Sequence, residues 1–295
     1  MNQRIFFGVL LFIILGWIIA IGYAGSQQLD KPVFLDHYID EYQQDEIQVQ
    51  FYYITNKRDQ KAVNYIMLDD IPGYVDHYYD PMMEEIPYEQ RFGHHEVRSI
   101  YATLDLRGLD PIDEKMVFDK MRVHFSDGQF ETVDVGEIII HPAVYNEKKY
   151  LSQDVTAAGA DWAGYILNAE EDFSIESLMP HIPVDESAHL KAQVLNPEES
   201  IHESRFFKLM EDEAQNSQGI GYKDVNYPIV LNEEDKLAVS FINEGNYKYV
   251  LKSWVRVEGK DTDGLDVSFP TYLSQIPQLE KEDLEAIIEQ KREGQ

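Results

Sequence analysis

The residues from Ile5 to Ala24, IFFGVLLFIILGWIIAIGYA, form an uninterrupted run of twenty residues without a charge. A helix rises about 1.5 Å per residue, so this run spans roughly 30 Å, the thickness of the hydrocarbon core of a bilayer. A signal peptide usually has a shorter apolar region of about 7–15 residues. The run therefore predicts one N-terminal transmembrane helix. A signal peptide cleaved after the small residues near Ala24 and a buried core helix are the alternatives.

The charges that flank this run favour one orientation. Arg4 and the terminal amine precede it, and Lys31 is the first basic residue after it. Under the positive-inside rule, residues 1–4 form a cytoplasmic tail and the bulk of the chain lies on the other side. The sequence thus predicts a single-pass protein of the cell membrane whose remaining residues are extracytoplasmic.

The composition of the chain excludes several classes of function. Its 54 acidic and 25 basic residues give a formal charge of −29, which repels phosphate backbones, so no nucleic-acid partner is expected. Cysteine is absent, which excludes disulfides, thiolate metal ligands and a cysteine nucleophile. Hydrophobic residues make up 44% of the chain, enough to form folded cores. No cofactor-binding motif is present, and no cofactor is predicted.

After the apolar run, the chain is rich in alternating apolar and polar residues with many β-branched and aromatic side chains. This pattern predicts an all-β fold, mainly antiparallel, with two β-sandwich-like modules and minor helices. In chain order, the predicted divisions are a transmembrane anchor (5–24), a stalk (25–46), a first module (47–142), a linker (143–161), a second module (162–277) and an acidic C-terminal helix (278–295). Within the stalk, residues 36–46 mix acids with aromatics, which suggests a short helical turn.

Several local signals refine this prediction. Asp127-Gly128 predicts a two-residue type I′ hairpin turn, because that turn needs positive φ at both central positions. Gly136 predicts a bulge or bend. The strands at 47–55 and 62–68 suggest a hairpin or a sandwich corner. Asn196, followed by a proline and two glutamates, predicts a helix that ends near Glu213.

A stretch rich in tyrosine and acidic residues, from Tyr74 to His95, is a candidate recognition surface. Tyrosine buries a large area at a low entropy cost and still offers a hydroxyl group, which suits contacts with a glycan or a protein. The alternative is that these side chains cover an edge of the first module. The candidate ligand-binding residues are Tyr74, Tyr78, Tyr79 and Tyr88.

The same stretch contains the most metal-like cluster of the sequence. Imidazole and carboxylate groups are common ligands of transition metals. Neighbouring strand residues point to opposite faces, so two adjacent histidines can bind one ion only from a loop. The alternative is a pair of solvated loop histidines. The candidate metal ligands are His77, His94, His95 and Glu96.

The sequence contains no nucleophile elbow, no Walker-type loop and no His-Glu-x-x-His motif, and no catalytic residue is predicted. The expected role is non-catalytic binding, sensing or assembly in the cell envelope. One alternative is a hydrolase of envelope polymers that uses carboxylates around Asp76, Asp80 and Glu96 as acid and base. Another is an acidic accessory subunit whose terminal helix, 278–292, docks on a membrane partner rather than on its own domain.

Overall fold

The computed structural model of the chain describes residues 3–57, 59–76, 88–143, 150–158, 162–180, 188–195, 220–221, 226–243, 248–264 and 266–293. Within these ranges the chain forms two helices, α1 (Gln3–Ser26) and α2 (Lys281–Glu293), and eighteen strands. In chain order the strands are β1 (Val33–Phe34), β2 (Asp36–Tyr42), β3 (Glu46–Asn56), β4 (Val63–Leu68), β5 (Ile71–Asp76), β6 (Gln90–Phe92), β7 (His95–Asp105), β8 (Met116–Phe125), β9 (Phe130–His141), β10 (Leu151–Ala158), β11 (Trp162–Ala169), β12 (Phe173–Pro180), β13 (Ala188–Leu195), β14 (Ile220–Gly221), β15 (Ile229–Leu231), β16 (Lys236–Asn243), β17 (Tyr249–Asp261) and β18 (Asp266–Gln275).

Thirteen of these strands belong to one large sheet. Its order is β1-β3-β7-β5-β4-β8-β9-β2-β17-β12-β15, with β18 paired to β17 and β6 paired to β7. The other five form a second sheet in the order β10-β11-β16-β13-β14. The prediction of a mostly β chain is therefore confirmed. The large sheet is mixed, because β2 runs parallel to both of its neighbours.

Strand β2 joins two parts of the large sheet that are far apart in sequence. It pairs with β9 on one edge and with β17 on the other. The pairs with β9 run along residues 37–42 and those with β17 along residues 36–39, and even Asp40 and Glu41 are buried. The helical turn predicted for residues 36–46 is wrong, because these residues form β2 and the start of β3.

The strands from β1 to β9 enclose the first core. Strands β1 and β2 are separated only by Leu35, yet β1 pairs with β3 and β2 pairs with β9, at opposite ends of the series. The intervening strands must therefore curl until their two ends meet. We call the strands from β1 to β9 the first unit. Buried side chains fill its interior and include Ile39, Phe51, Ile66, Leu104, Val123 and Ile138.

A second core combines residues of the large sheet with residues of the second sheet. Leu251, Val255 and Val257 of β17 contribute from the large sheet, and Leu167 of β11 and Val239 of β16 contribute from the other. We call the strands that carry this core, β10–β12 and β15–β17, the second unit. It meets the first unit along β2.

Helix α2 covers a third, smaller core. Its buried residues Leu284, Ile287 and Ile288 share this core with Tyr52 of β3 and Val250 of β17. The Asp283 carboxylate accepts a hydrogen bond of 3.0 Å from the Glu280 N–H at the start of the helix. The apolar face of α2 is thus used within the chain, across both units.

Three local predictions can be compared with the structure. Four residues, 126–129, separate β8 from β9 rather than two: the Gly128 N–H donates to the Phe125 carbonyl over 3.0 Å, and among these four only Gly128 has positive φ, at 82°. This geometry is a type I turn followed by a left-handed glycine, so the type I′ prediction is wrong.

Gly136, with φ 87°, lies at a register shift between β8 and β9, which confirms the predicted bulge. Strands β3 and β4 each pair with other strands and not with each other, so they do not form the hairpin that was one of the two alternatives.

The predicted helix at residues 196–213 lies outside the described residues. Counting only described residues, no helix of this chain is long and apolar enough to cross a membrane. The described apolar side chains of α1, such as Phe12, Trp17 and Ile19, are exposed.

Candidate recognition surface

A row of four aromatic side chains crosses the outer face of the first unit. Tyr74 on β5 lies opposite Tyr65 on β4, Tyr65 lies opposite His124 on β8, and His124 lies opposite Phe130 on β9. Each residue is therefore the direct cross-strand neighbour of the next. We call these four residues the aromatic row.

The rings of the aromatic row are in contact with one another. Ring centroids are 5.7 Å apart for Tyr74 and Tyr65, 5.6 Å for Tyr65 and His124, and 5.7 Å for His124 and Phe130. The first two pairs are T-shaped and the third is stacked. These spacings lie in the favourable range for aromatic pairs. Over three inter-strand steps the row spans about 14 Å.

Strand alternation explains why the row faces outward. Ile66 and Val123, the neighbours of Tyr65 and His124 in sequence, are buried in the first core. The ends of the row are open to solvent, with Tyr74 53% exposed and Phe130 62% exposed. An apolar strip of this kind, with phenol groups in it, can bind a flat or extended ligand.

Two features add polar character to the row. The Tyr65 hydroxyl group, like that of any tyrosine at neutral pH, is protonated and can donate a hydrogen bond, and burial and the neighbouring Tyr74 raise its pKa further. The guanidinium carbon of Arg122 lies 5.9 Å from the Phe130 ring centroid. One end of the row therefore carries a positive charge.

The tyrosines predicted from sequence fall in different places. Tyr74 is part of the row, whereas Tyr78 and Tyr79 lie outside the described residues. Tyr88 is 43% exposed and stacks against Arg91, whose guanidinium carbon is 3.8 Å from the ring centroid. Tyr88 precedes β6, which pairs with the start of β7. Tyr74 lies opposite Thr103, near the end of β7, so the two tyrosines lie at different places along this strand.

Of the predicted metal ligands, the two adjacent histidines face different surroundings. His94 is exposed. His95 is buried, and its Nε2 lies 2.7 Å from the Gln27 carbonyl oxygen just beyond α1. Burial lowers the pKa of His95. His77 lies outside the described residues, and a site that includes it stays a prediction.

Glu96 is held by two arginines in the first unit. Its Oε1 accepts hydrogen bonds from Arg98 Nε at 2.9 Å and Nη2 at 2.5 Å. Its Oε2 accepts from Arg91 Nε at 3.1 Å and Nη2 at 3.0 Å. Both carboxylate oxygens are thus engaged, and Glu96 serves in an ion-pair network. Among the described residues, no group of three or more His, Asp or Glu side chains is arranged to hold a metal ion.

Sequence reasoning identified Tyr74 but missed Tyr65, His124 and Phe130. A usable signal was present, since His124 and Phe130 flank the turn that contains Gly128 on alternate, outward positions. The register between β4 and β8 depends on the fold of the first unit, and it is this register that completes the row.

Comparison with known proteins adds no family assignment. No protein-family model matches the chain. No curated protein matches it either. Among solved structures, it is similar to the crystal structure of the YadV chaperone, with 10% sequence identity, a TM-score of 0.24, and coverage of 82% of this chain and 99% of the chaperone chain. A likeness at that score carries no argument about the fold or the function.

Proposed function

We propose that this chain is a membrane-anchored, extracytoplasmic binding protein of the cell envelope, and that the aromatic row binds a neutral glycan. The observation that carries this proposal is the register of four contacting aromatic rings across β5, β4, β8 and β9. Two all-β sandwich modules, joined along β2, would hold the row outside the membrane.

The charge of the chain supports a neutral ligand. With a formal charge of −29, the protein repels polyanions at long range. Aromatic faces gain contact energy from the apolar side of a ring without needing an opposite charge. Phenol groups such as that of Tyr65 can hydrogen-bond the hydroxyl groups of a sugar. The protein-binding alternative would require a larger complementary surface than a row about 14 Å long.

The two other roles suggested by sequence find less support. A hydrolase would need free paired carboxylates, and Glu96 is bound by Arg91 and Arg98. An accessory subunit that docks through α2 would need the apolar face of that helix, which packs on β3 and β17. The two ends of the aromatic row, by contrast, are open to solvent, with Tyr74 53% and Phe130 62% exposed.

Replacing Tyr74 and Phe130 by alanine should weaken glycan binding about tenfold for each residue, because each change removes an exposed stacking face. Binding can be measured by co-sedimentation of the full-length chain with purified cell-wall sacculi, and by titration with chitohexaose as a soluble neutral glycan. Tyr101→Ala is the matched control, since Tyr101 is 47% exposed on β7 but lies outside the row. Unchanged binding in the Tyr74→Ala/Phe130→Ala double variant would rule out the row as the binding surface.

The anchor has its own test. The apolar run from Ile5 to Ala24 should keep the chain in the membrane fraction after washing with high salt and carbonate. Protease added to intact cells, after removal of the wall, should digest the residues beyond the run. Replacing Ile13 and Ile18 by lysine should release the chain from the membrane fraction. Full protection of the intact chain from added protease would contradict the proposed orientation.

A further inference from the structure

A cavity of about 510 Å³ lies where the two units meet, at the end of β2. Its volume falls within the usual range of about 300–1,000 Å³ for small-molecule sites. We call it the seam cavity. Both units and the shared strand contribute to its lining, which consists of Asp40, Tyr42, Lys115, His141, Pro142, Met179, Trp254 and Arg256.

Aromatic side chains form one wall of the seam cavity. The Tyr42 and Trp254 ring centroids are 6.0 Å apart in a T-shaped arrangement, and Tyr42 lies 5.5 Å from the His141 ring. The Trp254 Nε1–H donates to Glu41 Oε2 over 3.2 Å, which fixes the orientation of the indole. The wall is therefore preorganised for a flat group.

The charges around the seam cavity are mostly positive, in contrast to the rest of the chain. Lys115 and Arg256 both line it, and among the described residues Lys115 has no ion-pair partner. Asp40 is the one carboxylate among the described lining residues, and its Oδ1 lies 2.5 Å from His141 Nε2.

Arg256 is held at the rim in a position to receive a ligand. Its Nε donates to the Tyr42 hydroxyl over 3.3 Å. Its Nη1 lies 3.9 Å from Glu258 Oε1, a partly exposed pair at the limit of ion-pair distance, which is weak in water. The Nη N–H groups of the Arg256 guanidinium can therefore donate hydrogen bonds to an anionic ligand.

We propose that the seam cavity binds a small organic anion in which a carboxylate is carried on a ring. The ring would pack against Trp254 and Tyr42, and the carboxylate would contact Arg256 and Lys115. The seam cavity shares no residue with the aromatic row, so this site is independent of the glycan-binding proposal.

The test uses the full-length chain, labelled with 5-fluorotryptophan and observed by ¹⁹F NMR in mild detergent. The chain has three tryptophans, and a Trp254→Phe variant assigns the signal of Trp254. Benzoate is the probe, benzyl alcohol has the same ring without the charge, and acetate has the charge without the ring. Benzoate should shift the Trp254 signal saturably, and both control compounds should bind about tenfold more weakly.

Variants locate the carboxylate contact. Arg256→Gln should raise the Kd for benzoate about tenfold, and Lys115→Gln should raise it about threefold, since Lys115 is more exposed. Lys120→Gln is the matched control, because Lys120 is an exposed lysine of β8 outside the lining, and it should leave the Kd unchanged. Equal affinity for benzoate and benzyl alcohol, a shift that does not saturate, or an unchanged Kd in Arg256→Gln would overturn the proposal.

Discussion

Replacing Arg98 by methionine should lower the free energy of unfolding by about 3–5 kcal/mol. Arg98 is 1% exposed and is among the largest fully buried side chains of the described residues. Its guanidinium bonds Glu96, which is also 1% exposed, and donates to the Asp59 carbonyl over 2.6 Å. The substitution leaves a buried carboxylate without its closest partner, which costs far more than the loss of an exposed ion pair.

Urea unfolding of the purified full-length chain, followed by circular dichroism, measures this effect. Arg107→Met is the matched control, because Arg107 also pairs with carboxylates but its side chain is 59% exposed. That variant should unfold close to the parent. The Glu96→Leu/Arg98→Met double variant should be more stable than Arg98→Met alone, since it also removes the buried carboxylate that would otherwise keep only Arg91 as a partner. An Arg98→Met variant as stable as Arg107→Met would contradict the network.

Acidification from pH 6.5 to pH 4.5 should destabilise the fold because of His37. This residue is fully buried in β2, its Nε2 accepts a hydrogen bond of 2.8 Å from the Tyr52 N–H, and burial lowers its pKa from 6.5 to about 3. Between these two pH values the unfolded chain binds a proton that the folded chain does not. The contribution is therefore complete above pH 6.5 and is lost by about 1.4 kcal/mol for each pH unit below it.

His37→Gln tests this dependence, because glutamine keeps an acceptor for the Tyr52 N–H without a group that ionises in this range. Its unfolding free energy should depend less on pH between 6.5 and 4.5 than that of the parent chain. His95, whose pKa is also lowered, contributes in the same direction and remains in both proteins. If His37→Gln keeps the parental slope, His37 does not carry the effect.

The measurement window avoids the carboxylates that titrate at lower pH. Arg107 holds the pKa of Asp105 at about 2, and Lys61 lowers the pKa of Asp127. A depressed carboxylate pKa gives stability that is lost only as the pH falls below the usual value near 4. Above pH 4.5 these two carboxylates therefore contribute little to the slope.

The sequence predicted the strand character of the chain because alternation of side chains is a local property. The strand β8, for example, alternates the buried Met121, Val123 and Phe125 with outward residues. Pairing between strands is not local. The separation of β3 from β4 in the sheet, and the register that places Tyr65 beside His124, both depend on contacts with other strands.

Strand β2 was missed for a physical reason. Its sequence contains Asp40 and Glu41, and charged residues are rarely buried unless they are paired. The partners are His141 for Asp40 and Lys252 for Glu41, which come from distant strands. Without those partners in view, the segment is typical of a solvated turn. His141, together with Trp254 and Arg256 of β17, also lines the seam cavity, which no local motif indicates.

The position of β2 also affects the order in which the chain can fold. The strand is made early in synthesis, but its contact with β17 waits for residues far downstream; Glu41 and Trp254, for instance, are 213 positions apart. Until β17 arrives, one edge of β2 has unpaired N–H and C=O groups that can pair with another chain. Contacts of such long range slow folding. A nascent chain would thus expose an unpaired strand edge until β17, which lies within its last fifty residues, has been made.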